Sequence, residues 1–169
     1  MSKELMEILK EGHPFLYKKL PLVDLSTNQV DLDKLCSTMY DTMKANDGMG
    51  LAANQVGVEQ RVFIMDNDER YYFNPKIVDT SNELCMDKEG CLSFPNMWVN
   101  VKRPKEITVE WQTKAGVLKY AKFDDYWGKC FQHELDHLNG KLFIDHLRPM
   151  KKILVKNKMK KSSKKKKQE

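Results

Sequence analysis

His133 and His137 stand four residues apart in the stretch Gln132 to Gly140, which reads QHELDHLNG. On a helix, positions i and i+4 share a face, so both imidazoles can grip one metal ion. Glu134, next to the first histidine, is placed to move protons. Such a pair arises by chance fairly often, and taken alone its ordinary reading is two solvent-facing or core histidines. The adjoining glutamate and an upstream cysteine shift the balance towards a metal site.

A catalytic metal usually takes three protein ligands and leaves a position for water. The pattern H-E-x-x-H-x-x-G-x-x-H matches through Gly140, but Phe143 occupies its last position and cannot ligate. The only glutamate after the pair is Glu169, at the end of a lysine run. That leaves Asp145, His146 or an upstream donor. Cys91 is chemically the best of these, because thiolate binds borderline metals strongly. It lies in EGCLSFP, Glu89 to Pro95, which reads as a loop or strand end that exposes the thiolate and nearby backbone amides. A buried structural role is the commoner fate of a thiol.

A third informative stretch is GMGLAANQVG, Gly48 to Gly57. Two glycines around Met49, then Ala52 and Ala53, describe backbone that passes close to something else. It is not a nucleotide loop, since Ala53 stands where G-x-G-x-x-G needs its last glycine and no Gly-Lys-Ser/Thr follows. Gln55 ends the segment with a side-chain amide. It is equally readable as a surface residue at a strand start.

The remaining chain supplies a scaffold. Leu5, Met6, Ile8 and Leu9 make an amphipathic start that Gly12 and Pro14 interrupt. Asp24, Ser26 or Asn28 can cap a helix over about Asn28 to Asn46, whose Leu32, Leu35, Cys36, Met39 and Met43 recur at helical spacing as core. Strands are predicted at Val62 to Met65, Tyr71 to Phe73 and Ile77 to Val78, with turns at Asp66 to Glu69 and Asn74-Pro75. A hairpin joins Ile107 to Trp111 with Val117 to Tyr120. Asp124 or Asp125 caps the histidine helix and Asn139-Gly140 stops it. Phe143 and Ile144 read as a short strand, and Met150, Ile153 and Leu154 as a brief apolar stripe.

A chain of 169 residues fits one domain with a real core, and 41% hydrophobic with 31% charged residues suits a soluble globular protein. No apolar run nears the roughly 20 residues needed to span a bilayer, and Met1 to Lys10 carries no leader pattern. A cytoplasmic protein with no membrane partner is expected. Four scattered cysteines do not read as a disulfide framework. Residues 151 to 169 hold ten lysines and one acid, a formal +9, which leaves about −4 on residues 1 to 150 of a chain whose net charge is +5. The sequence thus divides into a slightly acidic catalytic domain, 1–150, and a basic C-terminal helix or tail, 151–169, with disorder expected past about Lys156.

Together these residues suit metal-assisted amide hydrolysis. A metal lowers the pKa of water, Glu134 takes a proton and returns it to the departing amine, and Gln55 with a backbone N–H near Cys91 serves the oxyanion, each donor being worth about 3 kcal/mol. Two rivals remain open at this level. One is a zinc endopeptidase with Asp145 or His146 as third ligand. The other is a ribosome- or RNA-binding module whose metal is structural and is closed by Cys130.

GMGLAANQ, EGCLS and QHELDH resemble, in order, the three motifs of peptide deformylases, and the resemblance covers about residues 5 to 155. It implies an α+β fold, with antiparallel sheets around a central metal-binding helix; a monomer is expected. It also implies removal of the formyl group from N-formylmethionyl peptides, with release of formate. Residue by residue, Cys91, His133 and His137 match the metal ligands and Glu134 the general acid/base. Gln55 and the Leu92 N–H match the oxyanion donors, and Gly50 and Glu89 match positions that shape the site and the bound peptide backbone. Met49, Tyr126 and Cys130 fall where family members line the methionine pocket. The family's single divalent ion is typically Fe²⁺, with Zn²⁺, Ni²⁺ or Co²⁺ able to replace it; Zn²⁺ has the higher intrinsic affinity, so handling decides which is found. Two departures stand out. Trp98 occupies a position seven residues after the metal cysteine that is Arg in many bacterial members. The basic end resembles the helix that docks some members on the ribosome, but only its first turn is amphipathic.

Overall fold

Helix α2 (Asp125–Leu138) carries the histidine pair, and the other elements pack around it. It contains neither proline nor a β-branched residue, the types that most disfavour a helix interior. Asp124 stands at its N-cap in extended backbone, and Asn139 caps the other end. Gly140 follows with φ +69°, and a Cβ there would run into the Tyr17 carbonyl oxygen, so a glycine is required at this exit. Phe131, Leu135 and Leu138 bury one side of α2 in the main core, each such side chain worth about 1.5–3 kcal/mol.

The computed structural model describes residues 4–26 and 31–165. A five-stranded antiparallel sheet runs in the order β1-β2-β3-β6-β7. Its strands are β1 (Gly50–Ala52), β2 (Val62–Met65), β3 (Tyr71–Thr80), β6 (Glu106–Gln112) and β7 (Leu118–Asp124). Strands β4 (Leu84–Cys91) and β5 (Phe94–Pro104) form a separate antiparallel ribbon, with Glu89 opposite Val99 and Gly90 opposite Trp98. Helix α1 (Leu32–Ala45) packs on β1 and β2. Its Leu35, Cys36, Met39 and Met43 join Phe63, Tyr72, Trp111 and Phe131 in the main core. A second core under the ribbon gathers Leu16, Phe94, Met97, Val99, Val101, Phe143 and Val155. The His133 ring lies 5.7 Å from that of Phe143, so the histidine-bearing side of α2 borders this second core.

The α+β architecture with antiparallel sheets around a central helix is as expected, and several local expectations change. The N-terminal amphipathic stretch, over residues 4–10, takes no regular secondary structure, and Ile8 is buried within it. Helix α1 is capped by Asp31, whose carboxylate accepts from the Lys34 N–H. Asp24 instead closes a local turn with Ser26, and Asn28 lies outside the described residues. Asn74-Pro75 is no turn: β3 runs through it with a register shift, Asn74 taking φ 49°. Phe143 and Ile144 belong to a 3₁₀ turn that buries both side chains, and not to a strand. Helix α3 (Pro149–Lys165) continues beyond Lys156, and Met150, Ile153 and Leu154 face outward while Val155 packs into the second core. Among the described residues no helix is long and apolar enough to cross a membrane.

Candidate active site

Two elements meet at the candidate metal-ligating group. Cys91 ends β4, and His133 and His137 project from one face of α2, so that one ligand atom from each falls within 4.8 Å of the other two. Cys91 Sγ lies 3.2 Å from His137 Nε2. His133 turns its Nδ1 to Glu89 Oε2 at 3.0 Å, which leaves Nε2 for the group. A carboxylate behind a ligating histidine fixes ring orientation and tautomer. Asp145 and His146 are engaged elsewhere: Asp145 accepts from the Leu142 N–H and pairs with Lys152, and His146 Nε2 meets Asp136 Oδ2 at 2.7 Å. Cys130 lies outside the group, its thiol 3.7 Å from the Met49 carbonyl oxygen.

Glu134 is buried beside this group, and its Oε2 has no hydrogen-bond partner among the described residues. Burial raises its pKa to about 7, with the Glu89 charge adding to the rise and His133 opposing it. Gly50 makes this placement possible, because a Cβ there would overlap the Glu134 carboxyl group. The close approach expected of GMGLAANQ is thus an approach to the carboxylate of the HELDH motif. Burial also lowers the His137 pKa well below its ordinary value. For His133, burial acts in the same direction, but hydrogen bonds to Cys91 and Glu89 outweigh it and raise the pKa.

Gln55 is buried, and the alternative surface reading falls away. Its Oε1 accepts the Ala52 N–H at 2.9 Å, which turns Nε2 towards Ser93 Oγ at 3.2 Å and Cys91 Sγ at 3.5 Å. Leu92 follows Cys91 in the tight turn from β4 to β5, where Cys91 pairs with Phe94. A cleft of about 590 Å³ opens over these groups, lined in part by Met49, Gly50, Glu89, Tyr126, Cys130 and Trp98. Trp98 both packs and stays open: ring carbons stand 3.0 Å from where a Cβ on Gly90 would be, yet the residue is 68% exposed.

The residues that sequence reading missed lie behind the ligands. Arg103 is 3% exposed and clamps Glu89 through Nε and Nη2. Its Nη1 reaches Asp136 Oδ2 at 2.9 Å. Burial would lower the Arg103 pKa, but its two carboxylate partners raise it. Asn54 Nδ2 donates to the His137 carbonyl oxygen at 2.6 Å, and Ser93 Oγ receives the Gln55 amide. The available signal for Arg103 was alternation, since Met97, Val99, Val101 and Arg103 all point inward on β5.

The donor set fits a borderline divalent ion: one sulfur and two imidazole nitrogens converge, and an unpartnered buried carboxylate oxygen waits beside them. Three convergent donors beside a buried carboxyl group, in an α+β scaffold open to a cleft, fit a metal-dependent hydrolase. Residues 5–153 match the family model described as polypeptide deformylase. The peptide deformylase of Thermotoga maritima is 40% identical over 151 residues, 88% of this chain and 90% of its own length. That of Bartonella henselae is 41% identical over 142 residues, 80% of this chain and 81% of its own. Among solved structures, the Legionella pneumophila peptide deformylase aligns with a TM-score of 0.87 at 32% identity, covering 98% of this chain and 99% of that one. An Acinetobacter baumannii peptide deformylase described as Met-Ala-Ser bound aligns with a TM-score of 0.79 at 28% identity, covering 86% and 100%. The chain belongs to the peptide deformylase family, metal-dependent hydrolases that remove the N-formyl group from nascent peptides. The endopeptidase and RNA-module readings find no support.

Proposed function

We propose that this chain removes formyl from N-formylmethionyl peptides with Cys91, His133 and His137 holding one divalent ion. The observation that carries this assignment is the convergence of those three donors beside the unpartnered Glu134 carboxylate. When bound, the ion supplies Lewis acidity, acidifying a water and polarising a carbonyl. Glu134 accepts the proton of the attacking water, holds it in a buried site, and passes it to the amine nitrogen as the formyl C–N bond breaks. Formate and a free methionine amino group are the products. Gln55 Nε2 and the Leu92 N–H steady the oxyanion as it develops, each worth about 3 kcal/mol.

Gly50 and Glu89 shape the groove beside the reacting centre, and Met49, Tyr126 and Cys130 take the methionine side chain. The cleft runs past them to Trp98, which supports contact with residues beyond methionine. The Met-Ala-Ser described in the Acinetobacter baumannii relative has the composition of a deformylated product and supports the same reading. Fe²⁺ is the ion proposed in the cell, with Zn²⁺, Ni²⁺ or Co²⁺ able to replace it. We place the protein in the cytoplasm as a monomer. Residues 1–150 make up its catalytic part, and the basic segment 151–169 meets ribosomal RNA.

Formate release from formyl-Met-Ala-Ser tests the central assignment, with protein purified anaerobically beside Glu134→Ala and Cys91→Ala. Loss of release in both variants is expected. Activity that survives Cys91→Ala would reject the thiolate ligand, and inactivity of metal-replete wild type would reject the reaction.

A further inference from the structure

Three consecutive residues near the start of the chain each make one hydrogen bond to the loops that carry Gln55 and Leu92. The Leu9 N–H donates to the Gln55 carbonyl oxygen at 2.8 Å. Lys10 Nζ donates to the Leu92 carbonyl oxygen at 3.0 Å. The Glu11 N–H donates to the Ser93 carbonyl oxygen at 3.0 Å. The segment is anchored along its length. The Met6 N–H donates to Thr42 Oγ1 on α1 at 2.9 Å, Ile8 is buried in the main core, and Leu9 packs against the second.

The two loops are far apart in sequence, and each has its own reason to move. Gln55 sits in the short 3₁₀ turn Ala53–Val56, and Leu92 in the tight turn at the end of a two-stranded ribbon. The Leu92 and Ser93 carbonyls belong to the two peptide groups that follow the one bearing the Leu92 N–H. Holding both removes rotation on that side of Leu92. Holding the Gln55 carbonyl does the same for the backbone that aims its amide. Oxyanion stabilisation works through donors fixed before the reaction, and a misplacement of about 1 Å can cost roughly a hundredfold in rate.

We propose that residues 9–11 form a positioning strap that ties both oxyanion donors to one backbone segment, with Lys10 as its side-chain member. The inference rests on the roles proposed for Gln55 and Leu92. Lys10 lines the cleft as well as bonding Leu92, so its effect on substrate binding must be separated from its effect on turnover.

Lys10→Met keeps the stem and deletes the donor on an exposed side chain, so the fold should persist with an unchanged Tm. Expected is a fall in kcat on formyl-Met-Ala-Ser of about fivefold, the net worth of one hydrogen bond, with KM within about twofold and recovery in Lys10→Arg. A raised KM at unchanged kcat would make Lys10 a substrate contact and overturn the proposal, as would wild-type kcat. Hydrogen exchange gives a readout independent of activity. The Leu9 and Glu11 amides of wild type should exchange more than about tenfold slower than unstructured chain, and unprotected exchange would overturn the strap. If metal-replete wild type released no formate, the reaction assignment would fail, and the strap as a structural clamp would stand or fall on that protection alone.

Discussion

Glu89 Oε2 and His133 Nδ1 are joined by a hydrogen bond of 3.0 Å, and the same carboxylate is held from behind by Arg103. Glu89 therefore connects His133, a proposed metal ligand, to a buried cation. This predicts that Glu89→Ala weakens metal retention about 10–100-fold, with Glu89→Gln intermediate because its amide oxygen can still accept from Nδ1–H. Competition with a fluorescent chelator measures it. Unchanged affinity in Glu89→Ala would mean that α2 packing alone orients His133.

The same carboxylate predicts an acid-dependent loss of stability. Burial pushes the Glu89 pKa up, but hydrogen bonds from His133 and Arg103 prevail and hold it at about 2, below the ordinary 4.5. A depressed carboxylate stabilises the fold above its unfolded pKa and loses that contribution as pH falls through the folded value. The full difference is about 3 kcal/mol, lost between about pH 4.5 and pH 2, with roughly 2 kcal/mol gone by pH 3. Urea midpoints of metal-free wild type and Glu89→Gln, followed from pH 6 to pH 3, should converge as the pH drops. Parallel curves would reject the assignment.

Gly50→Ala tests the contact between the two outer motifs. A Cβ at residue 50 meets the Glu134 carboxyl group, so one of the two must shift. Displacement of the carboxylate by about 1 Å predicts a loss of roughly a hundredfold in kcat, with metal content preserved because none of the three ligands is touched. A kcat within threefold of wild type would show that Glu134 tolerates the displacement or is not the proton carrier.

What the sequence made legible was what depends on short spacing. The histidine pair, the adjoining glutamate and the close glycine at Gly50 are local patterns, and the structure brings them together. The β4–β5 ribbon was harder to see. Strand β4 reads LCMDKEGC and buries none of its residues fully, so no alternation marks it, while β5 interrupts its inward row of Met97, Val99 and Val101 with Arg103. An inward arginine has meaning only once Glu89 and Asp136 stand across from it, and they come from two other elements. The apolar stripe of α3 failed for a related reason. Val155 is buried in the second core and Met159 packs against it, while the more apolar-looking Met150, Ile153 and Leu154 face outward.

Val155 also decides how the basic extension should be tested. Truncation after Met150 would remove a buried side chain worth about 1.5–3 kcal/mol, so a weakened interaction could reflect a loosened second core. Replacing the lysines at 160, 161 and 164–167 with glutamine removes six charges and leaves Val155 in place. Deformylation of free formyl-Met-Ala-Ser should then match wild type, as should Tm. If the extension binds ribosomal RNA through phosphates, co-sedimentation with ribosomes should weaken, and its dependence on salt should become shallower in proportion to the number of phosphates no longer neutralised. Co-sedimentation equal to wild type at two salt concentrations would exclude the lysine run as the contact.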